Sequence, residues 1–282
     1  FRLAAAAIVL GAAALVQLTP ANAAWPQGIS NANVVRTITA SNGDIFIGGN
    51  FVGEAKIGEF TLYSAGLQDV FVARLTPSGN VLWAVSGGGD LTDTLHGMAI
   101  DTSGNVFVAG SVFGSANFGG VGLNGSTNNY QDGFVARIDA NGIWGWVNRI
   151  TSNGRDSATD VVVYPGDSMQ VPPLPDTLLV TGGYFGTATF SASGTSRQLV
   201  NTNGMLQDDF LAKLSVDGKK WHWAVNRPGV GVYEIGKRLL LDDQKRLHML
   251  GEESAKSQWL VFKEEFPRGS NLDAWVVAED TG

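Results

Sequence analysis

The sequence predicts an all-β protein, a β-propeller of four-stranded antiparallel blades. Three observations predict it: a strand vocabulary that returns along the chain, Gly, Asn, Asp and Ser turns that bound it, and a tryptophan at one phase of successive repeats. Gly43-Asp44-Ile45-Phe46-Ile47-Gly48-Gly49-Asn50-Phe51 returns as Gly104-Asn105-Val106-Phe107-Val108-Ala109-Gly110-Ser111-Val112, and again as Leu178-Leu179-Val180-Thr181-Gly182-Gly183-Tyr184-Phe185. Downstream, Asp69-Val70-Phe71-Val72-Ala73-Arg74-Leu75 matches Asp132-Gly133-Phe134-Val135-Ala136-Arg137-Ile138, and Asp209-Phe210-Leu211-Ala212-Lys213-Leu214 is a third copy. Each is followed by a turn and then a strand carrying Trp83, Trp146 or Trp223.

Within the second repeat, four runs of β-branched and aromatic residues occupy 95–100, 105–112, 133–138 and 143–149. Ser103-Gly104 and Asn141-Gly142 supply the positive φ angles of tight hairpins. The loop after the second run is long in the first three repeats (53–68, 114–131 and 186–207). Each such loop carries a short recurring element: Ala55-Lys56-Ile57-Gly58, Ala116-Asn117-Phe118-Gly119 and Ala188-Thr189-Phe190-Ser191. Recurrence predicts ordered hairpins rather than slack loops. A fourth, eroded copy places Leu239-Leu240-Leu241-Asp242, Leu247 to Gly251, Trp259 to Lys263 and Trp275-Val276-Val277 in the four strand positions. An insertion at 164–176 carries Pro172, Pro173 and Pro175, which cannot sit in a central strand. The expected blades cover about 29–89, 90–154, 155–231 and 232–282. Four blades make either a small ring or part of a larger propeller.

Composition narrows the function classes. Net charge is −7 without a basic cluster, which disfavours a nucleic-acid partner. With 44% hydrophobic residues the chain can build a core. There is no cysteine, so disulfides, Cys-ligated zinc and iron–sulfur clusters drop out. Residues 1–23 read as a signal peptide: Arg2, an apolar run to Val16, and Ala21-Asn22-Ala23 as the cleavage pattern. That run is shorter than the ~20 residues that span a bilayer, so a permanent membrane span is not expected. Export to the periplasm, the cell surface or the medium follows.

The phrases "DVFVARLTPSGNVLWAVSGGG" and "DTSGNVFVAGSVFG" resemble the bacterial beta-propeller repeat family often called SBBP, over about residues 29–282. Glu265 stands where Leu75 and Ile138 sit, and Lys245-Arg246 replaces Gly104-Asn105. The resemblance implies an exported bacterial protein and no general activity.

Candidate site residues are acidic. Asp69, Asp132, Asp208 and Asp209 begin the third strands, near Asp90, Asp93 and Asp156, on the face shared by the loops after strands two and four. Capping of neighbouring backbone N–H groups is the leading reading; Ca²⁺, which takes such oxygen ligands, is the alternative cofactor. Trp83, Trp146, Trp223 and Trp275, with Trp144 and Trp221, read as packing between blades, with a sugar-stacking platform as the competitor. His96, His222 and His248 fall at unrelated phases, and no G-x-S-x-G elbow occurs. The reading is therefore a non-enzymatic binding or scaffolding module for an unidentified protein or glycan. The alternative is a propeller enzyme acting on carbohydrate, or a quinone-dependent oxidoreductase suggested by Val216-Asp217-Gly218-Lys219-Lys220-Trp221.

Overall fold

A computed structural model describes residues 28–125, 130–166, 169, 171–193, 195–201, 206–226, 234–253, 256–261 and 276–278. The expected signal peptide at 1–23 and Trp275 lie outside these residues. The described chain contains strands and no helix, and all strand pairs are antiparallel. No helix among the described residues is long and apolar enough to cross a membrane.

Four meanders follow one another, and each is a four-stranded unit. The first is β1 (Ile29–Thr39), β2 (Ile45–Ile57), β3 (Phe60–Leu75) and β4 (Val81–Gly89). The second is β5 (Thr94–Ile100), β6 (Val106–Phe113), β9 (Gln131–Ile138) and β10 (Trp144–Thr151), interrupted by the hairpin β7 (Ala116–Phe118) and β8 (Val121–Leu123). The third is β11 (Ser157–Tyr164), β12 (Thr177–Phe185), β15 (Gln207–Ser215) and β16 (Trp221–Val225), interrupted by β13 (Thr187–Ala192) and β14 (Thr195–Val200). The fourth is β17 (Glu234–Leu241), β18 (Leu247–Glu253), β19 (Lys256–Val261) and β20 (Val276–Ala278).

The repeat phases are structural equivalences. Trp83 lies opposite Arg74, Trp146 opposite Arg137 and Trp223 opposite Lys213. The first strand of every unit carries a bulge at one place, between Val34 and Arg36, Leu95 and Gly97, Ala158 and Asp160, and Gly236 and Arg238. Opposite the bulge stands a glycine for a steric reason. A Cβ on Gly49, Gly110 or Gly182 would lie 1.9, 2.2 or 1.9 Å from the carbonyl oxygen of Asn33, Thr94 or Ser157. In the fourth unit the register differs from the expected one: Val276, opposite Val261, takes the position of Trp83, Trp146 and Trp223. The insertion with its prolines falls between β11 and β12, outside any central strand.

The sheets stack face to face. Phe46, Val70, Val72 and Trp83 of the first pack on Leu95, Met98, Val106, Val108 and Phe134 of the second. Phe107, Val135 and Ile150 then meet Ala158, Val161, Val180 and Phe210 of the third. Leu179 and Leu211 meet Leu239, Leu247 and Met249 of the fourth. Central strands buried on both faces explain why β2, β6 and β12 read as unbroken apolar and glycine runs rather than as alternation. Burial of each such Phe or Leu contributes roughly 1.5–3 kcal/mol. The first strands of successive sheets also adjoin: β5 touches β1 and β11, and β11 touches β17.

The hairpins expected in the long loops exist, but they belong to two sheets at once. β7 pairs with β4 of the preceding sheet (Gly88 opposite Asn117), and β13 pairs with β10 (Ile150 opposite Phe190). Each arm returns an aromatic to its own sheet. The Phe118 ring lies 5.1 Å from Phe134 and 4.9 Å from Trp144; Phe190 lies 5.0 Å from Phe210 and 5.2 Å from Trp221.

The bulge-facing glycines supply a stability test. Gly182→Ala is expected to destabilise by about 2 kcal/mol or more, since backbone must move. Gly122→Ala, where a Cβ meets nothing within 4 Å, should stay within about 0.5 kcal/mol. Chemical denaturation of both variants checks the contrast; equal effects would contradict the bulge geometry.

Candidate functional site at the sheet connectors

The acidic residues singled out from sequence gather where a third strand starts, a connector crosses to the next sheet and an arm departs. A Gln-Asp pair opens each third strand: Gln68-Asp69, Gln131-Asp132 and Gln207-Asp208. Asp69, Asp132 and Asp208 are equivalent by register, facing Phe51, Val112 and Tyr184. Asp209 instead takes the place of Val70 and Gly133. Asp69, Asp132 and Asp209 are 0–2% exposed, because the arm and connector fold over them; Asp208 is half-buried.

Asp69, Asp132 and Asp208 each hold local chain. Asp69 Oδ2 accepts the Ala65 N–H at 2.9 Å. Asp132 is ion-paired with Arg149, Oδ2 to Nε 2.9 Å. Asp208 accepts from Asn226 Nδ2 at 2.9 Å, and Asn226 holds the same strand position as Arg149. The connector acids Asp93 and Asp156 do matching work. Asp93 accepts the N–H groups of Gly89 (2.6 Å) and Phe113 (3.0 Å). Asp156 accepts from Ser152 Oγ (2.5 Å) and the Phe185 N–H (3.4 Å). Their own N–H groups donate to the carbonyls of Gln68 and Gln131. One buried carboxylate thus fastens each connector to the strand that launches the arm, in two successive sheets.

Burial sets the electrostatics. It pushes Asp93 up to about 6, and the charge of Asp69 adds to the rise. It pushes Asp156 up to about 8, opposed by the Ser152 hydroxyl and reinforced by Asp132. Asp69 is raised as well, chiefly by burial. Burial lowers Arg149, while its nearness to Asp132 and Asp93 raises it. Two neighbouring carboxyls of unequal acidity are the equipment of acid–base catalysis. Here they are enclosed and engaged in fastening: Asp93 accepts two backbone N–H groups, and Asp156 accepts from the Ser152 hydroxyl and the Phe185 N–H. No group of three or more His, Asp or Glu residues among the described residues is placed to hold a metal ion.

The histidines are apart from this row. His96 meets Ser111 Oγ at 3.0 Å, with its pKa lowered by burial and then by Lys237. His248 contacts Asp242 at 3.0 Å, and His222 is lowered mainly by burial. Trp83, Trp144 and Trp221 are buried; Trp146 and Trp223 are half-buried. The indole N–H groups of Trp83, Trp144, Trp146 and Trp221 each donate to a backbone carbonyl. A shallow pocket of about 350 Å³ lies at the opposite sheet ends, between Ala40–Asn42 and Asp101–Gly104, with Arg74 in its wall held by Asp44 at 2.5 Å. Arg149 has no basic counterpart at its phase and was not foreseen; Asp44 and Arg74 do recur, as Asn105 and Arg137 (Nη2 to Oδ1 2.7 Å), but their contact was not foreseen either.

The raised acids set a direction for pH. Asp156 binds its proton more tightly folded (about 8) than unfolded, so the folded state holds more protons between about pH 4 and pH 8. Stability is therefore highest below pH 4 as far as this group is concerned, and falls as pH rises toward 8. Asp156→Asn should flatten that decline and stabilise at pH 8 by on the order of 1–3 kcal/mol. Thermal melts at pH 5 and pH 8 check this; an unchanged pH slope would contradict it. No family model matches the chain, and no curated protein matches it.

Proposed function

We propose that the chain is an exported, non-enzymatic binding or scaffolding module, built as a β-propeller of the SBBP-like kind and acting at or beyond the bacterial envelope. The observation that carries this reading is how the acidic row is used. Asp69, Asp93, Asp132 and Asp156, which would have supplied a catalytic pair or a cation site, are buried, and Asp69, Asp93 and Asp156 fasten loops. The side-by-side sheets with adjoining first strands support a common axis, as radial repetition requires.

The surface left for a ligand is the end of the sheets where arms and connectors emerge. Val52 (60% exposed), Leu67 (57% exposed), Leu91 and Tyr130 stand out there, and all four belong to second-to-third-strand arms or to a connector. Aromatic and aliphatic anchors with a polar surround suit a polypeptide or a glycan surface.

A glycan array and a quinone-reconstitution assay on the secreted chain test the reading. Saturable binding that Val52→Asp and Tyr130→Ala weaken, with melting temperature unchanged, is expected. Turnover above background in either assay would overturn it.

A further inference from the structure

We infer that the outer edge of the third sheet is an anion site, at which Lys213, Arg197, Lys220 and His222 close on a phosphate group.

The repeat separates what the fold requires from what is particular to this sheet. Lys213 holds the place of Arg74 and Arg137, each opposite a fourth-strand tryptophan. In the first two sheets that cation is engaged by its own sheet. Arg74 pairs with Asp44 at 2.5 Å, and Arg137 Nη2 donates to Asn105 Oδ1 at 2.7 Å. Thr177 stands where Asp44 and Asn105 stand, one residue before Leu178, Ile45 and Val106, which pair with Leu214, Leu75 and Ile138. The third sheet therefore keeps the cation and loses its partner. Lys213 Nζ lies 5.3 Å from the centre of the Tyr164 ring, and it forms no ion pair among the described residues.

Three positions around Lys213 carry a base that the first two sheets lack. Each fourth strand bulges at the residue before Trp83, Trp146 or Trp223, namely Leu82, Gly145 and His222. A Cβ on Gly145 would lie 3.1 Å from Arg137 Nη1, so a side chain at this place is set against the third-strand cation. In the third sheet it is an imidazole. Lys220 takes the turn position of Asn80 and Ile143, whose carbonyls accept the equivalent N–H. Arg197, opposite Phe190, takes the arm position of Phe60 and Val121. β14 brings it in by lying along β16: Thr195 Oγ1 donates to Lys219 O at 3.3 Å, and Arg197 Nε to Trp221 O at 3.2 Å.

The charges converge on His222. Burial lowers its pKa most, Lys220, Lys213 and Arg197 lower it further, and Asp217 opposes them. That carboxylate is held in its own turn by Ser215 Oγ at 2.6 Å and by Lys219 Nζ at 3.6 Å. Three cations thus crowd one imidazole on a chain of net charge −7, and their mutual repulsion favours an anion. A phosphate group carries about −1.5 to −2 charge and three acceptor oxygens, which suits this many donors better than one carboxylate does. None of the arm-end residues Val52, Leu67, Leu91 and Tyr130 belongs to the cluster, so the two surfaces are tested separately.

Histidine resonances of the whole chain, titrated with pH at low ionic strength with and without inorganic phosphate, read the site directly; His222→Gln assigns the signal. A bound anion favours the imidazolium, so phosphate is expected to raise the His222 midpoint by about one pH unit while His96 and His248 stay put. Arg197→Gln, an exposed change, weakens phosphate binding about tenfold. Thr177→Asp, which supplies the acid that Asp44 supplies in the first sheet, weakens it about as much. Lys56→Gln, on the exposed face of the first arm, leaves it unchanged. Glucose 6-phosphate identifies the carrier: tighter binding than inorganic phosphate assigns a phosphorylated sugar, and equal or weaker binding assigns the free ion. The inference is overturned if the His222 midpoint does not move, if all three histidines shift together, or if Lys56→Gln weakens binding as much as Arg197→Gln.

Discussion

An exposed strand edge is a row of unpaired N–H and C=O groups, and a chain of successive sheets creates one such edge at every fourth strand. In this protein two of these edges, those of β4 and β10, are met by an arm sent back from the next sheet. β7 closes part of the β4 edge and β13 part of the β10 edge, so neighbouring sheets share backbone hydrogen bonds as well as apolar faces. The buried carboxylates follow from that arrangement. An arm that leaves its own sheet after β6 or β12 must turn while a connector passes beneath it, which strands backbone N–H groups indoors. Asp93 accepts those of Gly89 and Phe113, and Asp156 accepts that of Phe185. The apparent acidic site and the arms are therefore one device, and the cost of burying the acids is the cost of the crossing.

The same device explains the tryptophans. Trp83 and Trp146 lie on the glycine turns of the sheets that follow and donate to their carbonyls, so the first–second and second–third junctions are held at one end by arm pairing and at the other by an indole. Gly142 and Gly218 admit the ring because they lack a Cβ and adopt positive φ. The fourth sheet departs from the pattern. β18 and β19 run from Glu253 to Lys256 with no arm elements between them, and Val276 replaces the tryptophan. Both of its ties to the sheet before or after are altered together.

Most of the fold was legible because its repeat is periodic in sequence. The runs at 95–100, 105–112, 133–138 and 143–149 correspond within one or two residues to β5, β6, β9 and β10. The hairpin character of Ala116–Phe118 and Thr187–Ala192 was legible from recurrence, but their pairing across sheets was not. Pairing partners leave no periodic mark on a strand only a few residues long. The acids were found by type and phase, yet their burial was not, since an Asp before an apolar strand looks the same whether solvent or an arm covers it. Arg149 illustrates the limit further: its counterparts are Ser86 and Asn226, so a single ion pair replaces hydrogen bonds used elsewhere. In the fourth sheet the tryptophan at 275 suggested a phase one residue away from the one the pairing adopts.

Native-state hydrogen exchange tests the interlocking of sheets most directly. If arms and fourth strands form one ladder, the amides of Ala116–Phe118 and Thr187–Ala192 exchange with protection matching that of Val81–Gly89 and Trp144–Thr151, and all four segments open together as denaturant rises. Arms that exchange near the unprotected rate while β4 and β10 stay protected would contradict it.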